Sequence, residues 1–283
     1  MLQVAIRHAL DKLSNDEGQD LVIDDAWIEE AGEQFKDTLR RQFRREKEDF
    51  RLRMSNIGRP LCQLQMAKSG AVPTRKPYNH IVRMIHGDIF ECVMDVILKV
   101  AKVNITGAKN KVKLEVAGET IKGEDDIHID DKVWDIKSSS PWAYDNKWSL
   151  GYEGLKKEDS FGYVGQLVGY AKAQGKEPGG WIVGNKSTGE IMVVEMNTTD
   201  HEIDTVMLKI QDTVKKVSTN TTLERQFEPE MDMWRGQPTG LRRLNPKTCG
   251  FCDFVHKCWP NAEYAPHPSS TAKNPPNYWF LRE

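Results

Sequence analysis

Residues 123–140 read GEDDIHIDDKVWDIKSSS, and the fold turns on how this stretch is read. Its two halves alternate with period two around the polar positions Asp130, Asp131 and Lys132, the pattern of a β-hairpin. In the second arm Val133, Asp135 and Lys137 fall on one face, and Trp134 and Ile136 on the other. Asp126 in the first arm reaches the acid–lysine face if the register brings it there. Two carboxylates converging beside an ammonium are costly unless a divalent cation sits between the acids. That donor set suits metal-assisted phosphodiester hydrolysis.

Around this hairpin the chain of 283 residues allows one large domain or two small ones, with 39% hydrophobic residues to build a core. No apolar run approaches the roughly 18 residues needed to cross a bilayer, and MLQVAIRHALDKL at residues 1–13 reads as a short amphipathic helix rather than a signal peptide. A cytoplasmic location is the default expectation. A net charge of −2 excludes an overall cationic coat but not a basic groove beside an acidic site. Five cysteines without an export signal point away from a disulfide framework and toward metal or cluster ligation.

The flanking elements follow from periodicity. Leu2, Ile6, Ala9, Leu10 and Leu13 suit a helix ending near Asn15 to Gly18. A longer one is capped by Asp24 or Asp25 and carries Trp27, Ala31, Phe35, Leu39 and Phe43 on its apolar stripe. Arg40, Arg41, Arg44, Arg45, Arg51 and Arg53 follow, either as a solvated face laced by Glu46, Glu48 and Asp49 or as a phosphate-contacting ridge. In SNIGRPLCQLQMAKSG, residues 55–70, Ser55 or Gly58 can cap and Pro60 suits a first turn, which places Cys62 inside a short helix closing near Gly70. Residues 76–100 predict a long helix with Ile81, Ile85, Ile89, Val93, Val96 and Val100 inward. Glu91 lies off that stripe, one turn past Gly87, and His86 points elsewhere as a packed or supporting histidine.

Strand-like runs at 111–116 and 119–121 flank Gly118, whereas SSSPWAYDNKWSLGYEGL, residues 138–155, has no periodicity and reads as a long loop. Ser160 is the expected cap of a helix in which Gly162, Gly165 and Gly169 permit close packing on a sheet, with Tyr163, Gln166 and Tyr170 on another side. Strands at 181–183 and 191–196 flank the turn NKSTGE, and Asp200 opens a helix with Ile203, Met207, Ile210, Val214 and Val217 inside. In the tail, PKTCGFCDFVHKCWP at 246–260 spaces Cys249, Cys252 and Cys258 as C-x2-C-x5-C. Residues 266–277 read as a loose end.

Taken together, GEDD, then DIKSS, then the helical GQLVGY resemble the PD-(D/E)XK nuclease superfamily in its RecB-like branch. Cys62 before that core and CGFCDFVHKC after it narrow the resemblance to the iron–sulfur CRISPR-associated Cas-four exonucleases and their phage homologues. The match spans roughly residues 55–260. The resemblance implies an α/β fold, a central mixed β-sheet flanked by helices. It divides the chain into an N-terminal helical region (1–54), a nuclease core (55–227) and a C-terminal cluster-binding region (228–283). It also implies a DNA-binding hydrolase, an exonuclease acting on DNA ends in phage or host DNA processing. A spacer-trimming accessory of RNA-guided immunity and a non-catalytic DNA binder that kept the fold are the alternatives.

Position by position, the resemblance implies that Glu91, Asp126, Asp135 and the carbonyl of Ile136 bind magnesium or manganese, with Glu91 departing from the usual His toward the λ-exonuclease type. Lys137, Gln166 and Tyr170 complete the catalytic set. Cys62, Cys249, Cys252 and Cys258 then hold a [4Fe–4S] cluster, while a local zinc site of Cys249, Cys252, His256 and Cys258 stays open and Cys92 is core. Partners implied are single-stranded or frayed DNA ends, no membrane, and a further copy of the chain or a recombination or CRISPR protein. Trp142, Tyr144 and Trp148, beside Lys147, Lys156 and Lys157, are candidates for stacking on unpaired bases, or else form a satellite core.

Overall fold

The computed structural model describes residues 1–15, 20–44, 49–219 and 222–282; Gly18, Arg45, Glu46 and Glu48, which figure in the readings above, lie outside the described residues. Helices α1 (Leu2–Ser14), α2 (Asp25–Phe43), α3 (Leu61–Lys68) and α4 (His80–Val100) precede strands β1 (Ile105–Ala108), β2 (Lys111–Val116), β3 (Glu119–Glu124), β4 (Ile127–Ile129) and β5 (Lys132–Ser139). Then come α5 (Pro141–Asn146), α6 (Gly151–Lys157), α7 (Tyr163–Ala173), β6 (Glu177–Asn185), β7 (Ile191–Glu195) and α8 (Asp200–Ser218). The tail forms β8 (Glu230–Trp234), β9 (Gln237–Arg243), α9 (Val255–Cys258), β10 (Ala262–Pro266) and β11 (Asn277–Leu281).

The hairpin expected from the opening stretch is β4–β5, pairing Ile127 with Trp134 and Ile129 with Lys132. Its turn has two residues: Asp130 and Asp131 adopt φ of 50° and 61°, left-handed conformations that Asp tolerates and that match the twist of tight hairpins. Lys132 already belongs to the strand. The five-stranded sheet runs β1-β4-β5-β6-β7, antiparallel except for the parallel pair β5–β6. Parallel neighbours require a crossover, and α5, α6 and α7 make it.

The period-two split of β5 is observed. Val133 packs into a core with Trp181, Leu167, Val168 and Val214, while Trp134 and Ile136 join Ile6, Met94 and Leu98 on the opposite face. The sheet is therefore covered by α1 and α4 on one side and by α7, α8 and the crossover helices on the other: an α/β fold with a central mixed sheet. Gln3 ties α1 to the edge strand, donating to the Ile191 carbonyl at 2.8 Å and accepting from the Val193 N–H at 2.6 Å. Strands β2 and β3 stand apart as a two-stranded hairpin turning at Ala117 and Gly118.

Several expectations need correction. On α2 the buried residues are Thr38 and Gln42, while Phe43 is 69% exposed, because the helix docks through Gln42 Nε2 donating to Asp88 Oδ2 at 2.8 Å. On α4 the buried face is Cys92, Met94, Asp95, Leu98 and Val100. The expected stripe Ile89, Val93 and Val96 instead meets Ile28, Ala31 and Phe35 of α2 along an open apolar groove. A helix apolar on two sides gives an ambiguous stripe. Asp24 caps α2 as expected, accepting from the Ala26 N–H at 2.9 Å.

Of the supposed loop 138–155, residues 138 and 139 finish β5, and after the cap Ser140 the rest is helical, built from α5, a single 3-10 turn at Trp148–Leu150 and the start of α6. Ser160 does not cap α7; Asp159 does, accepting from the N–H groups of Tyr163 and Val164 at 2.9 and 2.7 Å. The α7 glycines seat it against residues 54–58 rather than the central sheet, since a Cβ on Gly165 would stand 2.7 Å from Gly58 Cα. Pro60 precedes α3 as its cap instead of entering its first turn. The tail is a four-stranded sheet ordered β10-β11-β9-β8. His267, in the expected loose end, is buried against Asp232 at 2.8 Å. Among the described residues no helix is long and apolar enough to cross a membrane.

Candidate functional site

Strand β5 carries the acid–lysine pair. Lys137 Nζ donates to Asp135 Oδ1 at 2.6 Å, and Asp135 is almost wholly buried. Asp126, in the short connection from β3 to β4, is pinned to the same strand because its Oδ2 accepts the Ile136 N–H at 2.8 Å. The neighbouring Asp125 serves a different purpose. It is buried and saturated by the Asn110 N–H at 2.9 Å, Gln174 Nε2 at 2.7 Å and His128 Nε2 at 2.8 Å. Of the adjacent aspartates, then, the first fastens the turn and the second faces the site. The glycine of the motif is required by packing: a Cβ on Gly123 would stand 2.6 Å from Met54 Cγ and 2.8 Å from Tyr170 Cε1.

Glu91 arrives from α4, and the sequence reading missed its partner. Lys109, just past β1 with φ of 51°, places its Nζ 3.3 Å from Glu91 and 3.9 Å from Asp126. A lone lysine at a strand end carries no periodic signal that would have singled it out. Burial, and then the Asp126 charge, push Glu91 up to about 7. Burial also pushes Asp135 up to about 7, with Asp126 adding to the shift and Lys137 opposing it. For Lys137 burial works downward, but Asp135, Asp126 and Glu91 together hold it above the ordinary lysine value. Asp135 Oδ2 is buried with no hydrogen-bond partner. Burial likewise raises the Tyr170 hydroxyl, which hydrogen-bonds the Gln166 side chain. The structure thus gathers Glu91, Asp126, Asp135, Lys137, Gln166 and Tyr170 near the Ile136 segment of β5, whereas His86 is exposed on α4.

The cysteines form a second cluster. Cys62 near the start of α3, Cys249, Cys252 and Cys258 line one cavity of about 20 Å³ with Arg225, Phe227 and Trp259. All four are free thiols, and burial followed by their mutual charge raises Cys62 to about 11 and Cys249 to about 12. Arg225 closes the rim, its guanidinium 4.3 Å from the Trp259 ring centre and donating to the Cys258 carbonyl at 2.8 Å. His256 does not line this cavity; its Nδ1 is 3.1 Å from Thr74 Oγ1. Cys92 is buried in α4, away from the cluster. Among the described residues no three or more His, Cys, Asp or Glu side chains stand close enough to hold a single metal ion.

The aromatic residues divide. Trp142 is 62% exposed, but Tyr144 and Trp148 are buried in the core, Trp148 stacking on Tyr163 at 5.2 Å. Lys156 pairs with Glu153 at 2.6 Å and Glu202 at 2.8 Å, which neutralises it as a phosphate contact; Lys157 is exposed. On the arginine segment, Arg40 pairs with Asp37 at 2.6 Å and Arg41 with Asp88 at 3.0 Å, so both belong to a solvated face.

No family model and no curated protein matches the sequence. Among solved structures, the crystal structure of SSO0001 is similar at 16% identity with a TM-score of 0.44, covering 78% of this chain and 92% of that one.

Proposed function

We propose that the protein is a metal-dependent deoxyribonuclease of the PD-(D/E)XK type, a hydrolase that removes nucleotides from DNA ends in phage or host DNA processing. The observation that carries this reading is Asp135 Oδ2, buried without a hydrogen-bond partner beside Asp126 on the strand that also presents Lys137. A buried polar atom left unpartnered costs about 1–3 kcal/mol. An oxygen-seeking divalent cation offsets that cost and the mutual repulsion of the acids. Glu91, Asp126, Asp135 and the main-chain carbonyl of Ile136 would hold magnesium or manganese, with Lys109 Nζ 3.3 Å from Glu91 and 3.9 Å from Asp126. When bound, the metal supplies an acidified water and neutralises charge growing on the scissile phosphate.

The chain's own groups do the rest. Lys137 stays protonated at neutral pH because three carboxylates surround it, so it stabilises the pentavalent phosphate. Gln166, anchored by Tyr170, orients the attacking water. Cys62, Cys249, Cys252 and Cys258 would hold a [4Fe–4S] cluster that fastens α3 to the tail. Four cysteines line one cavity, while His256 lies outside it and turns to Thr74, so the donor set is four thiolates rather than three thiolates and a histidine.

The test is digestion of linear and closed circular DNA with magnesium or manganese by anaerobically purified protein. Linear DNA is expected to disappear while circles survive, and Lys137→Ala should be inactive with an unchanged circular-dichroism spectrum. Near-normal activity in Lys137→Ala would sink the site assignment. Broad absorbance near ~400 nm should accompany the cluster; a colourless protein with one zinc per chain would remove that part of the proposal.

A further inference from the structure

From the candidate site a chain of aromatic contacts leads to the cysteine-rich tail. Lys137 Nζ sits 5.8 Å from the centre of the Tyr163 ring. Tyr163 stacks on Phe161 at 5.6 Å, with the planes 20° apart, and Phe161 meets Phe251 at 5.4 Å. Phe251 lies between Cys249 and Cys252 in sequence, so its position is set by the same turn that gathers those thiols. Exposure rises along the row: Tyr163 is half-buried, Phe161 is 37% exposed and Phe251 is 62% exposed. Single exposed apolar residues need no explanation, but two touching rings continuous with a buried site do.

Two cations flank the row, with Asp159 and Glu158 also within electrostatic reach of Lys147. Lys147 Nζ stands 4.7 Å from the Tyr163 ring centre and 5.2 Å from that of Phe161, and Arg59 is exposed with its charge reaching the Tyr163 hydroxyl. Neither cation forms an ion pair among the described residues. Rings with open faces beside unpaired cations are the arrangement that holds an unpaired nucleic-acid strand: bases stack on the rings regardless of sequence and phosphates meet the charges. The rings already touch one another, so bases lie on their open faces rather than between them.

We infer that Phe251 and Phe161, with Lys147 and Arg59, form a stacking track for about two unpaired bases of a DNA end, delivering the strand past Tyr163 to Lys137. The inference rests on the nuclease reading and moves strand binding away from Tyr144 and Trp148, which are buried. It also gives the cysteine turn a task beyond stapling, since that turn presents the outermost ring.

The experiment is equilibrium binding of fluorescein-labelled dT12 to cluster-loaded protein, followed by anisotropy with calcium replacing magnesium. Phe251→Ala and Phe161→Ala should each weaken binding about tenfold, and Phe251→Tyr should restore it. An oligonucleotide with abasic sites at the two end-proximal positions should bind the wild type as weakly as dT12 binds the Phe161→Ala/Phe251→Ala double variant, with no further loss on that variant. If Phe251→Ala also bleaches the cluster, Phe161→Ala and the abasic oligonucleotide decide. Unchanged binding by the alanine variants, in a protein that still degrades linear DNA, overturns the track and leaves the nuclease reading standing. A wild-type protein that neither binds nor cuts DNA overturns both.

Discussion

Asp126, Asp135 and Lys137 come from neighbouring positions of one hairpin, whereas Cys62 meets Cys249, Cys252 and Cys258 from almost two hundred residues away. The two clusters also differ in what they cost. Asp135 carries an unpartnered buried oxygen, and it and the neighbouring Glu91 are pushed up to about 7 by burial. The thiols occupy a cavity bordered by the apolar cluster of Leu244, Val255 and Trp259, where burial pushes Cys62 up to about 11 and Cys249 up to about 12. The first centre is therefore a local strain that the fold carries, and the second is a long-range tie that the fold uses.

Removing a group from each should move stability in opposite directions. Asp135→Asn should reduce cleavage on the order of 10³-fold while raising the melting temperature of metal-free protein by a few degrees, because it deletes a buried charge. A drop in melting temperature would show that the acid pair supports the fold. Trp148→Ala, at the edge of the same crossover, should destabilise by about 3–4 kcal/mol in urea titrations, as expected for a buried aromatic. Trp142→Ala should stay within about 0.5 kcal/mol, since that ring is mostly exposed. Cys62→Ser should lose the visible absorbance and about 2–3 kcal/mol, by analogy with other long-range cross-links; retained colour would break the comparison.

The smallest effect is the pH dependence. Glu91 and Asp135 sit above their unfolded values, so the folded protein holds protons that the unfolded chain releases. Stability from this pair is full below about pH 4 and is lost as pH rises through about 7. Metal-free melting temperatures should fall by a few degrees between these limits relative to Asp135→Asn. Added magnesium should flatten the difference.

How much of this was legible in the sequence depended on range. The hairpin and the split faces of β5 followed from strict alternation over residues 127–137, and the acid–lysine face came with them. The inner stripes of α2 and α4 did not, because α4 is apolar on two sides, α2 docks through Gln42, and the expected stripes face each other across a groove. The helices α5 and α6 are six and seven residues long, too short for a 3.6-residue period to register among Trp142, Tyr144 and Trp148. Spacing grouped three of the cysteines, but only the resemblance joined Cys62 to them. Lys109 had no signal at all, since its position depends on a left-handed residue at the end of β1.

The meeting of Cys62 with the tail also sets a timetable for synthesis. At about 5–20 residues per second, Cys62 leaves the ribosome roughly 10–40 s before Cys249 exists. During that interval α3 and the sheet can form, but the cysteine cavity cannot. Residues 249–258, made late, decide when α3 is joined to the tail.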